Sequence, residues 1–141
     1  MIDLEHRQMH RPNGLIDDFV VRGSPSDYKS FARQVRLAIS SGEPERLQTS
    51  SRIGIEITKD PNQPELFTSL QNQDNSYPGM IEWTQRSLLM MRGSGEVLED
   101  LYAFLLDLPQ RGHGYSYIFE YSNQLGYAEC SPEWRLHVQL P

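Results

Sequence analysis

The chain has 141 residues, the usual length of one domain. Its 13 basic and 19 acidic side chains give a net charge of −6, which argues against a general nucleic-acid-binding protein, because phosphates need a basic surface. The sequence has no apolar run of ~18 residues and no apolar stretch after its charged first residues, so it predicts neither a membrane span nor a signal peptide. The single cysteine, Cys130, excludes an internal disulfide framework and is typical of the reducing cytoplasm.

The charge is uneven along the chain. Residues 1–70 carry 9 basic and 10 acidic groups, whereas residues 71–141 carry 4 basic and 9 acidic groups. An acidic surface of this kind attracts basic partners and raises their association rate. The same charge also keeps a small protein soluble, so both interpretations stay open.

The first half predicts strands on both sides of one helix. Residues 1–14 are polar and predict an arm or an edge strand, and 16–21 predict a strand. Ser24 and Pro25 are typical of a helix start, and Gly42 is typical of a helix end. The apolar residues of this helix form one stripe: Tyr28, Phe31, Val35, Ala38 and Ile39.

Further strands are predicted at 53–58, 66–70, 81–83 and 87–91. Strict alternation in the first indicates that Ile53, Ile55 and Ile57 form one buried face, and the continuous apolar run of the last indicates burial on both faces. The longest polar stretch, 71–79, predicts a mobile loop.

A second striped helix follows, with Leu98, Leu101, Tyr102, Leu105 and Leu108, and it ends before Gly112. Alternating aromatic residues then predict a strand over 115–121. A hairpin turn is predicted at 123–126 and a last strand at 136–140.

The two helical segments align at an offset of seventy residues. Arg22-Gly23-Ser24 lies over Arg92-Gly93-Ser94, and the apolar stripes coincide. We therefore predict one domain over 1–141, with halves 15–70 and 80–141 that form a strand–helix–strand repeat. Strand runs broken by two helices indicate an α+β fold. The expected architecture is a largely antiparallel sheet of six or seven strands, with both helices packed on one face.

No catalytic or metal-binding constellation stands out. His6 and His10 have a spacing that suits two metal ligands on one helical face, but no carboxylate or cysteine completes the set. Cys130 lies beside Glu129, which disfavours a thiolate nucleophile, and no Gly-x-Ser-x-Gly motif is present. The sequence implies no cofactor.

Two features favour a binding site instead. Each Arg-Gly-Ser opens a helix, where free N–H groups can hold an anion near Arg22 and Arg92, although simple helix capping explains the same residues. His113 lies between two glycines on a corner that a partner or ligand could use. Trp83 is expected in the core, whereas the sequence leaves Trp134 open between core and interface.

From the second helix onward the chain resembles small bacterial immunity proteins of polymorphic toxin systems. The residues that carry the resemblance are the helix from Gly95 to Leu101 with Leu105 and Leu108, the Gly112-His113 step, and the segment from Ser131 to Leu136. The resemblance covers about a third of the chain. It implies a non-catalytic bacterial protein of the cytoplasm that binds and blocks a cognate toxin.

The first hypothesis is accordingly a protein-binding inhibitor whose partner is a basic toxin domain, with no direct contact to nucleic acid. Its expected contact residues are acidic and aromatic residues of the second half: Glu120, Tyr127, Glu129, Glu133, Trp134 and His113. The second hypothesis is a small-molecule-binding or enzymatic domain, with a site between the halves near Arg22, Arg92 and His113. The third is a structural or assembly protein that forms a homodimer through a sheet edge or face.

Overall fold

A computed structural model of the chain describes residues 1–11, 14–71, 88–112, 114–117 and 133–139. The described residues form eight strands, two α-helices and one short 3₁₀ turn. In chain order these are β1 (Asp3–Arg11), β2 (Gly14–Gly23), α1 (Pro25–Ser41), β3 (Glu45–Leu47), β4 (Gly54–Lys59), β5 (Phe67–Gln71), β6 (Leu88–Gly93), α2 (Gly95–Asp107), the 3₁₀ turn (Leu108–Arg111), β7 (Gly114–Tyr117) and β8 (Glu133–Val138).

The α+β class is confirmed, but the expected single sheet is wrong. The strands form two sheets of four: sheet 1 in the order β1-β2-β8-β7 and sheet 2 in the order β3-β4-β6-β5. Each sheet is mixed, because its outer pairs are antiparallel while its central pair, β2 with β8 or β4 with β6, is parallel. These parallel pairs join strands that are far apart in the chain. No local pattern in the sequence specifies such a pairing.

The topology repeats between two halves whose bounds differ from the predicted ones: the first runs from β1 to β4 and the second from β5 to β8. Each half supplies a strand pair, a helix and a second strand pair, and each sheet combines the first pair of one half with the second pair of the other. The two central parallel pairs have equivalent registers. In sheet 1 the last residue of β2, Gly23, is paired with the last residue of β8, Val138, and in sheet 2 the last residue of β6, Gly93, is paired with the last residue of β4, Lys59. The next hydrogen bonds match too, from Gln139 N to Gly23 O and from Asp60 N to Gly93 O, both 2.8 Å. The two halves are thus interlocked through both sheets.

Helix α1 begins and ends where the sequence predicts. Ser24 is the N-cap: its hydroxyl accepts from Asp27 N at 3.2 Å, and the Asp27 carboxylate accepts from Ser24 N at 2.9 Å. Gly42 closes the helix with φ 71°, a left-handed conformation that favours glycine. A Cβ at Gly23 would come within 2.7 Å of Ile2 Cδ1 and 3.1 Å of Asp27 Cβ, so the turn into the helix leaves little room for a side chain. Capping therefore accounts for the Gly-Ser step.

One hydrophobic core joins both sheets and both helices. From the helices it takes Tyr28, Phe31, Val35, Leu98, Leu101 and Leu105, and from the sheets Phe19, Val21, Ile55, Ile57, Leu89, Met91, Trp134 and Leu136. The apolar stripes predicted for the helices are confirmed as buried except for Ile39 and Tyr102, which are partly buried, and Ile53, Ile55 and Ile57 are buried as predicted. Leu88 and Leu89 are both buried, which confirms burial on both faces at that point of β6.

Some predicted elements differ from the structure. The polar segment after α1 contains the short strand β3, which the sequence analysis missed. Of the two alternatives predicted for residues 1–14, the edge strand is confirmed, because β1 lies at the edge of sheet 1. The predicted strand at 81–83, most of the loop at 71–79, the turn at 123–126, Trp83 and Cys130 lie outside the described residues. In the part of the chain that the structure describes, no helix is both long and apolar enough to cross a membrane.

Candidate functional site

The predicted partner-binding residues are centred on the segment that precedes β8. Four of them, His113, Glu120, Tyr127 and Glu129, lie outside the described residues. The remaining two, Glu133 and Trp134, are the first residues of β8.

Trp134 belongs to the core. It is 1% exposed, and its ring lies 5.9 Å from that of Phe19 at an angle of 44°. The alternation of β8 explains this position, since Trp134, Leu136 and Val138 share the face that packs against the helices. Of the two alternatives left open by the sequence, the structure places Trp134 inside, where it offers no surface to a partner.

The indole N–H of Trp134 is buried and finds no hydrogen-bond acceptor among the described residues. Burying such a donor costs about 1–3 kcal/mol. Packing of the large ring, rather than polar recognition, therefore accounts for a tryptophan at this position.

Glu133 lies at an acidic position of sheet 1. The parallel register of β2 and β8 pairs Asp18 with Glu133, and the antiparallel register of β1 and β2 pairs Asp18 with Arg7. Two acidic residues and one basic residue thus follow one another across three neighbouring strands. Sequence analysis missed Asp18, because only the long-range pairing of β2 with β8 brings it beside Glu133.

Arg22 is held by carboxylates of the neighbouring strand. Its Nη1 atom lies 3.0 Å from Glu5 Oε2 and 3.5 Å from Asp3 Oδ2. The register explains the contact, since Asp3 is paired directly with Arg22. The charge of this guanidinium is therefore compensated within sheet 1.

Arg92 occupies the equivalent position of sheet 2 and has a different partner. Its guanidinium lies 5.2 Å from the centre of the Phe67 ring, the residue paired with it on β5. Arg22 and Arg92 alternate with core residues on two different sheets, so the structure does not bring them into one site. His113 lies outside the described residues, and this arrangement counts against the ligand site expected between the halves.

The histidine pair at the start of the chain does not form a helical motif. His6 lies on strand β1, and its ring stacks on Phe19 with a centroid distance of 4.9 Å. Among the residues described by the structure, no group of three or more His, Cys, Asp or Glu side chains is placed to hold a metal ion.

A groove between the helices was not predicted. It has a volume of about 260 Å³ and is lined by Lys29, Arg33 and Arg36 of α1 and by Tyr102 and Leu106 of α2. Arg36 is held in place, because its guanidinium lies 4.2 Å from the centre of the Tyr102 ring and binds both carboxylate oxygens of Glu99. The spacing of the three cations along α1 was a visible signal in the sequence, since residues three and four apart share a helix face.

Comparison with known proteins gives no match to a protein-family model, to a curated protein or to a solved structure. The fold itself defines an α+β protein made of two interlocked β-β-α-β-β halves.

Proposed function

We propose that this chain is a non-catalytic protein-binding inhibitor of the immunity type, which binds a basic toxin domain and blocks it. The resemblance of the last third of the chain to such immunity proteins supports the proposal, and so does the acidity of residues 71–141, which carry 9 acidic against 4 basic side chains.

The observation that carries the proposal is the pairing of Asp18 with Glu133 across β2 and β8. Like charges at paired positions of neighbouring strands destabilise a sheet, and Arg7, on the other side of Asp18, supplies a single positive charge. Cationic side chains of a partner would neutralise the remaining charge. Glu129 and Glu120, which are also expected contacts, lie four and thirteen residues before Glu133 in the sequence.

The proposal can be tested by gene context together with protection of cells. We expect a neighbouring reading frame that ends in a small basic toxin domain, and co-expression of this chain should suppress its toxicity. Asp18→Lys combined with Glu133→Lys should abolish protection, because it places positive charge against a basic partner. The matched control is Glu43→Lys with Glu65→Lys, which changes the net charge equally at two exposed positions.

Circular dichroism of both variants distinguishes loss of binding from loss of folding. A neighbouring toxin that this chain does not neutralise would refute the proposal. So would equal protection by the Asp18/Glu133 variant and the wild type.

A further inference from the structure

The outward surface of the helix pair carries charges of opposite sign on its two helices. Lys29 and Arg33 lie one turn apart on α1, and Glu96 and Asp100 lie one turn apart on α2. Within the described part of the chain, none of these four side chains makes a hydrogen bond, an ion pair or a ring contact.

Several other charged groups at the surface are paired. Four arginines bind carboxylates within 3.0 Å: Arg22 with Glu5, Arg36 with Glu99, Arg46 with Glu56, and Arg111 with Asp107. Lys29 and Arg33 have no such partner among the residues that the structure describes, and both lie on one face of α1.

Each of these two like-charged pairs destabilises its helix in the isolated chain. Like charges four residues apart on a helix repel each other and destabilise it. At Asp100 the effect is visible, because partial burial and then repulsion by Glu96 and Glu99 raise the pKa of its carboxyl group. A partner that supplied both signs of charge would remove both costs.

Apolar surface lies between and beside these charges. Tyr102 and Leu106 line the groove between the helices. Leu37, one turn beyond Arg33, is 43% exposed, which is unusual among the large apolar side chains that the structure describes. An apolar centre with a charged rim is typical of protein–protein interfaces.

We propose that this helix surface binds a second copy of the chain around a two-fold axis, so that Lys29 and Arg33 of each copy meet Glu96 and Asp100 of the other. In a two-fold interface the same patch serves both copies, and every contact occurs twice. A purely basic partner would compensate only the acidic residues of α2, and a purely acidic partner would compensate only the basic residues of α1. A second copy offers both sets in reciprocal positions.

The size of the surface indicates a weak dimer. A helix of the length of α1 spans about 25 Å, and two packed helices are about 20 Å wide, so the dimer would bury a total of about 1,000 Å². This lies at the lower limit for specific interfaces. The dimer uses residues other than Asp18 and Glu133 and goes beyond the proposed function.

Sedimentation of the full chain and of two charge-reversed variants tests the dimer. We expect the wild type to change from one to two chains as its concentration rises to about 0.5 mM in about 50 mM salt, and to return to one chain in about 500 mM salt, which screens exposed charges. Lys29→Glu with Arg33→Glu should remain a single chain at every concentration. Glu96→Lys with Asp100→Lys should do the same.

An equimolar mixture of the two variants provides the decisive measurement. One variant then carries only negative and the other only positive charge at the four positions, so the mixture should form a heterodimer although neither variant self-associates. The control Glu43→Lys with Glu65→Lys should dimerise like the wild type. A wild type that stays a single chain up to about 0.5 mM refutes the dimer, and so does a mixture that fails to associate.

Discussion

Tyr28 is the side chain whose removal should report most directly on the junction between the two halves. It is fully buried, and its hydroxyl lies 2.9 Å from the carbonyl oxygen of His137 and 3.2 Å from that of Val21. These carbonyls belong to β8 and β2, the central parallel pair of sheet 1. Tyr28→Phe keeps the ring and deletes only the donor. A buried hydrogen bond lost in this way, with an acceptor left unsatisfied, costs about 1–2 kcal/mol.

Urea denaturation followed by circular dichroism measures this loss in the free energy of unfolding. For a chain of this size the melting temperature should fall by about 3–8 °C. Ser40→Ala deletes an exposed hydroxyl from the same helix and should change stability by less than about 0.5 kcal/mol. A change of less than about 0.3 kcal/mol for Tyr28→Phe would show that the hydroxyl does not hold the junction.

The buried hydroxyl of Tyr28 also predicts how the free energy of unfolding depends on pH. Burial raises the pKa of Tyr28 above the ordinary value of 10.0. The unfolded chain therefore releases this proton at a lower pH than the folded one, so the stabilising contribution is complete below pH 10 and is lost as the pH rises above it. Above about pH 10 the wild type should lose stability more steeply than Tyr28→Phe, and parallel curves would contradict the assignment.

Two further substitutions test the helices. Leu101→Ala should lower the free energy of unfolding by about 2–5 kcal/mol, because Leu101 is fully buried; a loss below about 0.5 kcal/mol in urea denaturation would mean that this stripe is an exposed face. Ser94→Ala should cost about 1 kcal/mol, because the Ser94 hydroxyl accepts the hydrogen bond of Val97 N at 3.3 Å, whereas Ser94→Gly should cost only a few tenths. Equal melting temperatures for wild type and Ser94→Ala would contradict the cap.

The candidate surfaces were only partly readable in the sequence. Glu133 was predicted as a contact residue, but its pairing with Asp18 depends on a strand more than a hundred residues away. The spacing of Lys29, Arg33 and Arg36 indicated one basic face of α1, yet only the packing of α1 on α2 shows that Arg36 is paired with Glu99 while the other two are not.

The sequence by itself determined the elements that local interactions specify. The caps at Ser24, Ser94 and Gly42, the apolar stripes of both helices and the alternation of β4 all follow from contacts within a few residues, so their positions could be read directly. Tertiary structure decided which strands meet. A parallel pair between distant strands is selected by the shared core and not by any turn, and this selection places Trp134 inside, separates Arg22 from Arg92, and divides the strands between two sheets.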